Sequence, residues 1–246
     1  MENMSEIARD IVDYLKYPCK VFAAKTPYDE IMKAYQEAFE RGRKEGFTPV
    51  LIPVDDTLED YFEMLEADGY SAEAALAAES RTGKEILDQR FKEYTAQNTE
   101  EFEMNMDEFI GEYDDEPEVI TQYTSLFHYS TGETLETLLI ELPTAKPWEA
   151  VAYVPFGGWN ECPPPGEMAA ICKYWYEAHG AIPVIITSDT LEMSVPAPIG
   201  NEKALEAAKE HYAFTPDRVD QGTATGTLSE VAACIAVSDI WFFWWD

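Results

Sequence analysis

Two tracts of the chain repeat one another, and that repetition restricts the fold more than any other feature. Residues 46–59 (GFTPVLIPVDDTLE) and 180–192 (GAIPVIITSDTLE) share the pattern G-x-x-P-V-x-I-x-x-D-T-L-E once a one-residue gap is allowed. A helical pattern precedes each tract, and a short apolar run precedes each helix, at 21–24 and at 150–154. Duplication of a strand–helix–strand unit accounts for this arrangement. A helix that long returns the chain, so the strands flanking it are expected to pair in parallel with a right-handed crossover. Gly46 and Gly180 fit helix ends that need positive φ. Pro49 and Pro183 fall at strand starts, where a missing N–H does little harm. Asp56 and Asp189 then lie just past the carboxyl ends of strands, where a carboxylate caps the next segment. Ligands collect at the same edge in open α/β sheets.

The expected class is therefore α/β: a single domain with two repeated strand–helix–strand units in a mixed sheet flanked by helices. Residues 1–60 form the first unit, 61–120 an acidic helical insertion, and 121–246 the second unit with an aromatic C-terminal part. A helix is predicted over 5–17, capped by Ser5, with Ile7, Ile11, Tyr14 and Leu15 as its stripe. A strand at 19–24 follows, then a helix opened by Thr26-Pro27 with Ile31, Tyr35 and Phe39 on one face, then a strand at 49–54. Residues 56–120 look helical, with capping signals at Asp56 and Ser71. Strands near 125–129 and 135–142 flank the turn signal Thr131-Gly132. Asn201 is read as the cap of a helix burying Ala204, Leu205, Ala208 and Tyr212. That helix is broken by Pro216 and followed by a polar loop at 217–222. Thr227 opens the last helix, with Leu228, Val231, Ala232 and Ile235 spaced for burial. The closing run at 240–246 reads as a strand covered on both faces in a sheet interior.

Charge limits function. Forty-eight acids against 17 bases leave a net charge of −31, and aromatic residues at 13% mark a globular chain rather than an acidic disordered one. Nucleic-acid binding is excluded, because neutralising phosphates takes clustered Lys and Arg. Docking on an anionic membrane is disfavoured for the same reason, and no run reaches the roughly 18 apolar residues of a membrane span. The polar start, residues 1–10, lacks the pattern of a secretory leader. Cys19, Cys162, Cys172 and Cys234 show no CxxC spacing and read as reduced thiols, so no metal is expected on them and a cytoplasmic location is. From Glu93 to Ala145 there is no Lys or Arg, and residues 100–118 carry ten carboxylates. Such a run is expected to be a solvated helix or mobile insertion, or else a tail that binds a partner. It lacks the DxDxDG pattern of a calcium loop.

Familiar catalytic patterns are missing. No G-x-S-x-G elbow and no phosphate-binding glycine loop occurs, and Gly222-Thr-Ala-Thr-Gly226 reads as a turn. His128, His179 and His211 are far apart. His179 sits where a helix C-terminus favours a cation, and His211 is expected at a surface or core edge. What remains is a polar cluster at the repeated strand ends: Trp159, Asn160, Asp189, Glu192, Asp217, Asp220 and Gln221. Several carboxylates together either bind a divalent ion and raise one another's pKa, or cap helices and brace loops.

The string 154–163 (VPFGGWNECP), Tyr174-Trp175, His179-Gly180-Ala181, Lys209-Glu210-His211-Tyr212, Pro216-Asp217, Val219-Asp220-Gln221-Gly222 and the terminal WFFWWD resemble a family of uncharacterised bacterial proteins, domain of unknown function 4253. The resemblance covers about 148–246. It implies no established activity, cofactor or catalytic residue. Relatives often carry Cys-Pro-Asp where this chain has Thr215-Pro216-Asp217, which argues against thiol chemistry there. The leading expectation is a non-catalytic intracellular interaction or regulatory protein whose strongly acidic surface meets a basic protein partner. The rival is a small-molecule or metal-dependent enzyme using carboxylates at the strand ends.

Overall fold

The computed structural model describes residues 4–246, apart from the side chains of residues 101 and 102; the first three residues of the polar start lie outside the described residues. The chain runs through α1 (Glu6–Leu15), β1 (Cys19–Phe22), α2 (Tyr28–Glu45) and β2 (Thr48–Pro53). Four helices follow, α3 (Asp56–Ala67), α4 (Ala72–Ala78), α5 (Gly83–Phe102) and α6 (Met106–Ile110). Then come β3 (Thr137–Leu142), α7 (Ala150–Tyr153), α8 (Pro165–His179), β4 (Ile182–Ile186) and β5 (Thr190–Ser194). The chain ends with α9 (Asn201–Phe214), α10 (Asp217–Asp220), α11 (Leu228–Val237) and β6 (Ile240–Trp244). Among the described residues the strands form one mixed sheet in the order β1-β3-β2-β4-β5-β6.

Local rules account for many boundaries. Ser5 accepts from the Ala8 N–H and caps α1, which buries Ala8, Ile11 and Leu15. Gly46 ends α2 at φ +87° and Gly180 ends α8 at φ +71°, both in the left-handed region. Ser71 caps α4, Thr82 and Glu85 form a reciprocal capping box on α5, and Thr227 caps α11. Every residue of β2 is buried. Val50 and Ile52 enter a large core on one face, with Leu138, Ile140, Trp175, Trp241 and Phe243. Leu51 enters a smaller core on the other, with Ile31, Tyr35, Leu139 and Ile185. That partition is the alternation a central strand imposes.

The two similar tracts lie side by side: β2 and β4 are parallel, with Leu51 opposite Ile185. Several expectations about their surroundings are corrected. Residues 150–154 are not a strand. They form α7 after a 3₁₀ turn at Pro147–Glu149, and Ala150, Val151 and Ala152 are all buried. A short, wholly buried apolar run carries no period to tell helix from strand. β1 and β2 do not pair, because β3 lies between them, antiparallel to both. The D-T-L-E ends diverge into the helix α3 in one tract and the strand β5 in the other.

Smaller corrections follow the same logic. Residues 125–129 hold a 3₁₀ turn, Thr124–Leu126, and one isolated bridge, Phe127 to Thr134, rather than a strand. Gly200 holds the cap position of α9, making Asn201 its first residue, and Leu205 is exposed. The polar loop at 217–222 contains the turn of helix α10. β6 is an edge strand rather than an interior one: Trp241, Phe243 and Trp245 are buried, whereas Phe242 and Trp244 are half-exposed.

Candidate functional site

The sequence-predicted cluster assembles in part, around the end of β6. Asp246 is the hub: its N–H donates to Asp217 Oδ2 (3.0 Å) and its carbonyl accepts from Asn160 Nδ2 (2.7 Å). Gln221 Nε2 donates to Asp217 Oδ1 (2.8 Å) and lies 3.4 Å from Asp246 Oδ2. Asn160 reaches this position because Gly157, Gly158 and Asn160 all take positive φ, folding residues 157–162 into a tight loop. The Tyr61 hydroxyl donates to the Gly157 carbonyl, and the Arg90 guanidinium donates to the Glu161 and Ala213 carbonyls. Trp159 packs partly buried on the large core.

Asp189 lies one strand over, in the turn between β4 and β5. Its Oδ1 accepts from the Thr187 and Thr190 hydroxyls (3.0 and 2.9 Å), its Oδ2 from Trp244 Nε1 (3.2 Å), and its carbonyl from the Trp245 N–H. Glu192 points elsewhere. Fully buried on β5, it accepts from Thr124 N (2.9 Å), the Thr124 hydroxyl (3.1 Å) and Ser125 N (3.3 Å), so it anchors the 3₁₀ turn of the crossing segment. Burial raises its pKa, and the hydrogen bonds from Thr124 and Ser125 oppose the rise. Asp220 is exposed on α10; partial desolvation and then the Asp217 charge raise its pKa. Asp189, Asp217, Asn160 and Gln221 thus share the β6 end, while Glu192 and Asp220 stand outside that network. Among the described residues, no group of three or more His, Cys, Asp or Glu side chains is arranged to hold a metal ion.

Other placements were not foreseen. The residue joining the two strand ends is Asp55, not Asp56: its Oδ1 caps α3 at Thr57 N (2.9 Å), and its Oδ2 accepts from Ser188 N and the Ser188 hydroxyl. His211 is fully buried against Trp175, Trp241 and Phe243, and neither ring nitrogen has a hydrogen-bond partner. Burial first, then the charges of Arg218 and His179, hold its pKa well below 6.5. His179 is half-buried, and desolvation and the Lys203 charge lower its pKa as well, opposing the cation that the end of α8 favours. Glu210, also buried, accepts from the Tyr174 hydroxyl (2.8 Å) and Trp175 Nε1 (3.0 Å).

Two of the surface cavities border the elements described above. One of about 390 Å³ lies along the outer face of β6, between Phe242 and Trp244, the strap at 118–124 and the Asp217–Gly222 turn. The other, about 220 Å³, lies between α1 and α3.

The fold and this bracing network define a mixed α/β sheet protein whose C-terminal strand is locked by polar loops. Its C-terminal region, residues 138–246, matches the family model described as Domain of unknown function (DUF4253). No curated protein and no solved structure matches the chain. The matched region starts within β3, about ten residues before the sequence motifs do, and contributes β3 to β6. β2, from the preceding half, lies between β3 and β4.

Proposed function

We propose that this chain is a non-catalytic interaction or regulatory protein of the cytoplasm that meets a basic protein partner through an acidic helical face. The observation that supports it most is the groove between α1 and α3. Asp10, Asp13, Glu59, Glu63 and Glu66 line it over a floor of Ile11 and the stacked rings of Tyr14 and Phe62, with no Lys or Arg among the lining residues. Desolvation raises the Glu59 pKa, as do a hydrogen bond with Asp10 and the charges of Asp10, Glu63 and Asp60. Like charges held this close gain most from an incoming cation, and a single-sign field steers such a partner in. The same net charge of −31 supports exclusion of nucleic acid, and no helix among the described residues is long and apolar enough to cross a membrane.

Affinity capture at low and high salt tests the reading. A basic protein held at low salt, released at high salt, and lost when Glu59, Glu63 and Glu66 are changed to Gln is the expected result. Capture that ignores salt or survives the triple change defeats it. For the enzyme alternative, the relevant fact is how Asp189 and Asp217 spend their oxygens: both carboxylates already accept from Thr187, Thr190, Trp244, Gln221 and the Asp246 N–H. Groups satisfied in this way support bracing of the β6 end rather than acid–base work.

A further inference from the structure

The cavity on the outer face of β6 is independent of the acidic groove and contains an arginine that, among the described residues, holds no carboxylate. Arg218 lines it, half-buried. Its Nη2 lies 3.5 Å from the Cys234 sulfur, a weak acceptor, and its buried Nε has no hydrogen-bond partner. Among the described residues it forms no ion pair, although the chain carries 48 acids and only 17 bases. The carboxylates around it are occupied elsewhere. Asp217 takes Gln221 and the Asp246 N–H, and Glu230 takes the N–H groups of Ala224 and Thr225 and the Thr225 hydroxyl. Glu118, on the rim, is exposed. A half-buried guanidinium without a partner is costly, and its fork of donors matches a carboxylate.

The rest of the cavity suits a flat apolar body. Phe242 and Trp244, one face of β6, are half-exposed into it, and Val119 and Ile120 of the strap close the opposite side. The volume of about 390 Å³ is that of a small-molecule site. We infer that this cavity binds a small planar organic carboxylate, its ring against Phe242 and Trp244 and its carboxylate on Arg218.

Calorimetric titration of the full chain with naphthalene-2-carboxylate, and separately with the neutral naphthalene-2-carboxamide, tests this. The carboxylate is expected to saturate with a Kd at least about tenfold below that of the amide, the worth of one charge-assisted contact. The indole N–H resonance of Trp244 should shift along the same curve. Arg218→Gln should abolish the difference between the two probes. Because Arg218 packs against α11, that variant is read only where its melting matches the parent. Thr121→Trp, which blocks the mouth from the exposed strap and leaves Arg218 in place, should weaken the carboxylate at least about tenfold. Equal affinities for the two probes, no saturation by either, or undiminished carboxylate binding in Thr121→Trp overturns the inference.

Discussion

At the scale of single residues, burial decides what a side chain is for, and two positions show it. His211 is neutral in the folded chain, enclosed by Trp175, Trp241 and Phe243 and near Arg218 and His179. Its folded pKa lies below the unfolded one. Its contribution is therefore whole above 6.5 and is lost as pH falls below that value, when the unfolded state takes up a proton that the folded state refuses. Below pH 6.5 the parent should lose stability more steeply than His211→Phe, by up to about 1.4 kcal/mol per pH unit, measured by urea unfolding at each pH. Taking the difference between the two proteins removes the opposite trend from Glu192 and Asp220, whose raised pKa values favour the folded state as pH falls. The second position is Asp55. It caps α3 and holds Ser188, so Asp55→Ala should cost about 1–2 kcal/mol, whereas Asp56→Ala should stay within about 0.5 kcal/mol. Equal losses for the pair would show that the cap is shared. Sequence placed the cap signal one residue late because two aspartates in succession look alike until the helix start is known. It placed His211 at a surface or core edge because one polar residue between Glu210 and Tyr212 carries no period of its own.

At the scale of elements, α8 is held by backbone-close contacts that its sequence does not advertise. A Cβ on Gly83 of α5 would come 2.4 Å from the Ala170 carbonyl oxygen, and one on Gly166 of α8 would come 2.5 Å from the Ala75 carbonyl oxygen of α4. Neither atom can swing aside, so Gly83→Ala should destabilise by about 1–3 kcal/mol despite its better helix propensity, as read from urea midpoints. The edge strand makes the complementary point. Its run of large apolar residues was legible as a strand, but its place at the edge with one open face was not, because which strand ends a sheet depends on the order of the others. Trp241, Phe243 and Trp245 face the core and Phe242 and Trp244 face the cavity. Phe243→Ala should therefore cost about 3–5 kcal/mol and Phe242→Ala much less. Comparable losses at both positions would mean that the outer face is also packed.

At the scale of the whole molecule, the sheet is knitted from both halves. β2 lies between β3 and β4 and pairs with each, so the family-matched region without the preceding half lacks its central strand. Residues 138–246 alone should show no cooperative melt by circular dichroism, and a sharp transition would mean that this part closes its own sheet. Self-repulsion from −31 charges should also make the full chain melt higher as salt is raised, as scanning calorimetry would record. Sequence alone determined the mixed α/β class, the caps at Ser5, Ser71 and Thr227, the glycine-ended helices α2 and α8, and the shared pattern of the tracts that became β2 and β4. Those features rest on residues a few positions apart, whose geometry is settled locally. Only the tertiary structure decided that β3 separates β1 from β2, that 150–154 coils into a helix, that Asp55 joins the two strand ends, and that Arg218 faces a cavity with no ion pair among the described residues. Each of those is a meeting of segments distant in the chain. No local pattern records it, because the free energy that selects it comes from burial shared among all of them.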